Sequence, residues 1–247
     1  MKKNPSGSEG QIIHVILVIN KKIRAMDSVY INNLLFTYFP HIAMAVFWFG
    51  LITRLVKIPG TIQAHSSQFL SQNSMGWASN LFHVGIIAVF FGHFIGLFTP
   101  QSVYHVVMTT ANKKLIAIIV GGFFGWLTLA GMIILIKRRL TNKRIKTNSS
   151  FQDYFIIFLL LVEVVLGLIA ISTTATSTVE NYAELGVWAQ KVITFQPDAG
   201  AVIAGHSIIY KLHIVVGLLI FIIFPYTKLM HMLVIPVGYF FRSGYQN

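Results

Sequence analysis

The sequence predicts an all-α integral membrane protein, a single bundle of five spanning helices, and three observations carry that prediction. The chain is 55% hydrophobic and 11% charged, with a mean hydropathy of +0.71, too apolar for a domain that keeps a watery surface. Five apolar stretches, near residues 34–53, 80–98, 115–136, 155–172 and 207–229, each approach the ~20 residues of a bilayer crossing. The net charge of +12 is concentrated in loops beside those stretches, where it sets topology, so it is not read as a nucleic-acid surface.

In chain order, residues 1–25 carry Lys2, Lys3, Lys21, Lys22 and Arg24 around an apolar run, Ile12 to Ile19, that is too short to span. They are expected to be a dispensable or disordered extension, with the working protein starting at Met26 and residues 26–247 forming the five-helix domain. The connection after the first span holds Arg54 and Lys57. The one after the third holds Lys137, Arg138, Arg139, Lys143, Arg144 and Lys146 against Asp153 alone. The connection after the fourth holds Glu180, Glu184 and Asp198 with Lys191. Positive loops stay in the cytoplasm, so the N-terminus is expected outside and the C-terminus inside. Membrane lipid is an expected neighbour of every span.

The second span, Ser79 to Pro100, places His83 and His93 in a greasy run, where ionisable side chains are expensive and usually functional. Ten residues of helix separate them by roughly 15 Å and about 80°, too far to share one ion. Two sites are therefore expected, and imidazole is a usual axial ligand of haem iron. The absence of cysteine excludes disulfides, thiolate-bound iron–sulfur clusters and covalently attached haem. The fifth segment offers His213 and His231, five helical turns and about 27 Å apart, with Pro225 between them as an expected kink. Because the two segments run antiparallel, His83 pairs with His231 at cytoplasmic depth and His93 with His213 at outer depth. Two haems, one at each depth, are the expected cofactors.

Other polar residues have plainer readings. His206, seven residues before His213, is a rival ligand at the membrane edge; His14, His65 and His105 are expected to be solvated. His41, beside Pro40, is a candidate for proton handling. Gly92 and Gly96 form a GxxxG pattern, which favours close helix packing and, beside a ligand, would also let a porphyrin lie against the backbone. Glu163 is expected to be protonated and hydrogen-bonded within the bundle, or else paired with a haem-side group.

The segments SNLFHVGI, FGHFIGLFTP, LIKRRL, GVWAQKVITF, KLHIVVG and LMHMLVIPV occur in order between about Tyr38 and Tyr239. Together they resemble the cytochrome b (gamma) subunit of membrane-bound respiratory nitrate reductase. The resemblance implies a bacterial inner-membrane protein with five helices and two b haems, oxidising membrane quinol near the outer haem. Electrons would pass to an iron–sulfur (beta) subunit and a catalytic molybdenum (alpha) subunit on the cytoplasmic side, which carry out nitrate reduction. It assigns the ligands to His83 with His231 and His93 with His213, and matches Lys113 to a quinol-pocket lysine. His93 is then expected to act twice, as iron ligand and as hydrogen-bond partner of the quinol. Residues 1–25 have no counterpart in the family, and Glu163 replaces an uncharged polar residue. The basic third loop and Leu233 to Asn247 are the expected docking surface for the iron–sulfur subunit. Two alternatives remain: the cytochrome b subunit of a formate dehydrogenase or hydrogenase, and a cofactor-free transporter or passive membrane anchor.

Overall fold

A computed structural model of the chain describes residues 29–58 and 75–232, together with His14, Leu17 and Val18. The expectations for the start at Met26, for His65 and for Leu233 to Asn247 fall outside the described residues, as does most of the 1–25 extension.

Nine helices follow in order among the described residues: α1 (Val29–Lys57), α2 (Met75–Phe98), α3 (Gln101–Tyr104), α4 (Thr110–Thr141), α5 (Lys143–Thr147), α6 (Phe151–Thr176), α7 (Val179–Ile193), α8 (Ala199–Ile203) and α9 (Ile208–Ile223). Two 3₁₀ turns, Phe224–Tyr226 and Lys228–Met232, end the described chain. Helices α1, α2, α4 and α6, and α9 with its first 3₁₀ turn, are long and apolar enough to cross a membrane, giving the five spans expected. Their ends are set by capping. Thr109 accepts from the Asn112 amide at the start of α4, and Ser150 and Asp153 form a reciprocal capping box at the start of α6.

The spans pack in the order α2, α4, α6, α9, α1, each against the next. The α2–α4 contact is closest because it is built on glycine: a Cβ on Gly131 would stand 2.5 Å from the Phe82 nitrogen, and one on Gly85 would stand 2.7 Å from the Thr128 nitrogen. Around this crossing Ala78, Thr128 and Met132 are fully buried. The expected GxxxG packing at Gly92 and Gly96 does not occur, since a Cβ at either would meet nothing within 4 Å. The close approach lies two or more turns nearer the start of α2, at Ala78, Phe82 and Gly85, where small residues on both helices face each other.

One end of the bundle is capped by α7 and α8, which the sequence reading took for a loop. Pro40 explains how they attach to α1. Lacking an N–H, it leaves the Phe36 carbonyl without its helical donor, and the helix widens to a π turn at Leu34–Tyr38 just before it. Trp188 Nε1 donates to that carbonyl at 2.9 Å. Thr37 Oγ1 accepts from the Gly200 amide at 2.7 Å, and Asn32 donates to the Gly200 carbonyl. The His41 ring bridges the Thr37 and Val192 carbonyls at 2.6 and 2.8 Å, so it fastens α1 to α7.

The opposite end is basic. There Pro225 does more than kink the fifth span: α9 stops at Ile223 and the chain turns back through the two 3₁₀ segments. Arg54 Nη1, at the end of α1, donates to the Pro225 and Thr227 carbonyls at 2.6 and 3.1 Å, capping the broken helix.

Candidate functional site

The four histidines of the second and fifth segments meet in two pairs, His231 from the 3₁₀ turn that follows the fifth span. The His93 and His213 rings stand 5.8 Å apart between centroids, and the His83 and His231 rings 6.1 Å. A metal–imidazole bond is about 2 Å long and the ring centre lies about 1 Å behind the nitrogen, so two imidazoles opposed across one ion have centroids about 6 Å apart. Both pairs meet that requirement. Helices α2 and α9 have no extended packing with each other, so the rings reach across a gap between backbones. Among the described residues no three His, Cys, Asp or Glu side chains converge on one point. Each pair brings two imidazoles to a spacing that leaves room for one ion between them, the number of protein ligands that a macrocycle with four donors of its own requires.

The nitrogens are also oriented. His83 Nδ1 donates to the Ser79 carbonyl at 2.7 Å, His93 Nδ1 to the Val89 carbonyl at 2.8 Å, and His231 Nδ1 to the Lys228 carbonyl at 2.5 Å. A carbonyl only accepts, so in the neutral ring the proton is held on Nδ1 and Nε2 presents its lone pair. For His93 this has a cost: the nitrogen expected to meet quinol is already taken by Val89.

His213 has a different partner. Its Nδ1 lies 3.1 Å from Glu163 Oε1 on α6, an ion-pair distance without the alignment of a hydrogen bond, and Glu163 Oε2 is buried with no hydrogen-bond partner. Glycine makes room for both groups. A Cβ on Gly167 would stand 3.2 Å from the His213 ring, and one on Gly217 3.0 Å from Glu163 Oε1. Of the two readings of Glu163, the geometry is that of pairing with a histidine of the site.

At the capped end Lys113, in the first turn of α4, holds its ammonium 3.9 Å above the Tyr104 ring, a cation–π contact. Lys114 points elsewhere and donates to the Ser177 carbonyl at 2.5 Å, tying α4 to the end of α6. Beside them Tyr182 on α7 reaches the Lys113 carbonyl at 3.5 Å; burial, then the neighbouring Tyr104, push its phenol up to about 12. His206 is occupied away from the pairs, with Nε2 3.1 Å from the Asn181 carbonyl and 3.5 Å from Glu184.

The profile of the nitrate reductase gamma subunit family matches residues 32–246, a span that includes all four histidines. The chain belongs to the nitrate reductase gamma subunit family. It is 37% identical to the respiratory nitrate reductase 2 gamma chain of Escherichia coli (strain K12) over 214 residues, covering 86% of this chain and 95% of that one. Identity is also 37% with the respiratory nitrate reductase 1 gamma chain of the same organism, over 87% of this chain and 96% of that one. With the nitrate reductase gamma chain of Bacillus subtilis (strain 168) it is 32%, over 86% and 96%. This gamma subunit is therefore a membrane component of a respiratory nitrate reductase, an oxidoreductase complex that it forms with other subunits.

Sequence reasoning missed two residues that hold this subunit's site together. Arg54 and Asp153 were read as loop charges. Asp153 is buried and pairs with Lys228 at 2.6 Å and Arg139 at 3.5 Å. Since the Lys228 carbonyl accepts from His231, Asp153 fixes the turn that presents that ring. The available signal was the spacing of Lys228 and His231 around a helix-breaking proline, which requires something to hold the turn.

Proposed function

We propose that this gamma subunit holds one haem b between His83 and His231 and another between His93 and His213, and that it oxidises membrane quinol beside the second. The observation that carries the reading is the pair of opposed imidazoles repeated at both depths, at 5.8 and 6.1 Å. Haem b bound there supplies one-electron redox chemistry, passing electrons inward to an iron–sulfur (beta) subunit and onward to the molybdenum (alpha) subunit that reduces nitrate. The chain's own residues ligate, orient and exclude water. The open backbone at Gly92 and Gly96 offers a flat face for a porphyrin edge beside His93. Lys113 is the group that meets the quinol oxygen.

The orientation proposed is that of a bacterial inner-membrane protein, with Arg54, Lys57 and the Lys137 to Lys146 stretch in the cytoplasm and the α7–α8 cap outside, so the N-terminus is outside. The basic face is where the iron–sulfur subunit docks. Visible absorption of the purified protein tests the cofactor directly: reducible b-type bands from two haems per chain are expected, and their absence would return the chain to the transporter or passive-anchor reading.

Two residues around the ligands give further expectations. Asp153→Ala removes both the capping box and the Lys228 pair, a loss of about 2 kcal/mol. Haem content should fall at the His83/His231 site first, read as loss of one of two low-spin resonance signals. Glu163→Gln keeps the shape and removes the charge beside His213. Both haems should remain while the potential of the His93/His213 haem rises, because a carboxylate facing Nδ1 strengthens the imidazole as a donor. An unmoved potential in that titration would leave Glu163 a packing residue.

A further inference from the structure

We infer that Tyr104, Thr110 and His105 form the route by which quinol protons leave the Lys113 site for the aqueous side. The proposal rests on the reading of Lys113 as the quinol-binding group. The three side chains make one continuous hydrogen-bonded line. Tyr104 lies under the Lys113 ammonium, its hydroxyl 3.1 Å from Thr110 Oγ1, and Thr110 Oγ1 is 2.9 Å from His105 Nε2. The line starts at half-buried Tyr104 and ends at exposed His105, where Gln101 Nε2 also reaches the ring at 3.3 Å.

Hydroxyls both donate and accept, so the line carries protons in sequence. A quinol O–H gives its proton to Tyr104 as Tyr104 gives its own to Thr110 and Thr110 gives its own to His105 Nε2. His105 then releases a proton to water, and the hydroxyls turn back for the second proton. The two electrons leave singly toward the His93/His213 haem, so the quinol becomes quinone with both protons delivered outside. Lys113, an ammonium, has only protons to donate, which suits it to hold the oxygen and not to take the proton. Tyr182, the other phenol at this spot, donates to the Lys113 carbonyl and lies off the line.

The test uses the full-length chain in its assembled complex in membrane vesicles, with menadiol as donor and haem reduction followed by stopped flow. Positioned proton transfer contributes about 10²–10⁴-fold, and water can partly replace a surface relay, so His105→Ala and Thr110→Val should each slow reduction about tenfold at unchanged KM. Added imidazole should restore His105→Ala but not Thr110→Val, and Thr110→Ser should run near the parental rate. Parental rates in both loss variants, or a slow His105→Ala that imidazole leaves slow, overturn the relay while Lys113→Ala remains slow with a raised KM. If Lys113→Ala itself runs at the parental rate, the quinol site and the relay that starts from it both fail.

Discussion

A His93→Ala variant is expected to lose one haem and keep the other. Without cysteine there is no covalent link to retain the group, so on the proposed ligation each haem would depend on two imidazoles carried by different segments, one on α2 and one on α9 or the turn beyond it. His213→Ala should give the same spectrum as His93→Ala, because the two rings face each other at 5.8 Å. His83→Ala and His231→Ala should delete the other haem. Haem content per chain should fall from two to about one in each variant, and the two classes should differ in which redox step survives. A His93 variant holding both haems with unchanged spectra would show the pairing to be wrong.

The second large effect is expected at Lys113. A hydrogen bond from a charged group contributes about 1.5–3 kcal/mol, so Lys113→Ala should slow reduction of the His93/His213 haem by a quinol at least tenfold while both haems stay bound. Lys114→Ala is the internal comparison. It is one residue away with the same charge, but its ammonium is committed to the Ser177 carbonyl at 2.5 Å, so its loss should leave quinol oxidation near the parental rate. Equal, near-parental rates in the two variants would move the quinol site elsewhere, with the edge of the His83/His231 haem the next place to look.

Much of this protein was legible from residue type and spacing. Five apolar runs named five spans because a bilayer core removes water as a partner and forces the backbone to bond within each helix. Positive loops, together with histidines in antiparallel segments, name the two pairs. The observed helices begin and end up to about a turn or more from the expected limits, since caps such as Thr109 and Ser150 extend a helix past its apolar stretch.

Where the reading missed, the missing quantity was always a contact between segments distant in sequence. Helical arithmetic puts His213 and His231 about 27 Å apart against roughly 15 Å for His83 and His93, and Pro225 marks where the helix must bend, but not what holds the bend. In the fold α9 ends at Ile223, and Arg54 and Asp153 hold the turn that follows, contacts across more than 70 residues of chain. Glu163 likewise has no local meaning on α6; it acquires one when Gly167 and Gly217 let α6 and α9 bring it to His213. The same holds for the cap, where Pro40 frees a carbonyl and Trp188 supplies the donor. By itself the sequence determined the class, the number of spans and the four histidines, because hydrophobicity, charge and residue chemistry are properties of single residues and their periodicity. Only the tertiary structure decided how the rings meet at about 6 Å and which groups orient them, because a hydrogen bond or a buried carboxylate takes its energy from a partner that local sequence does not name.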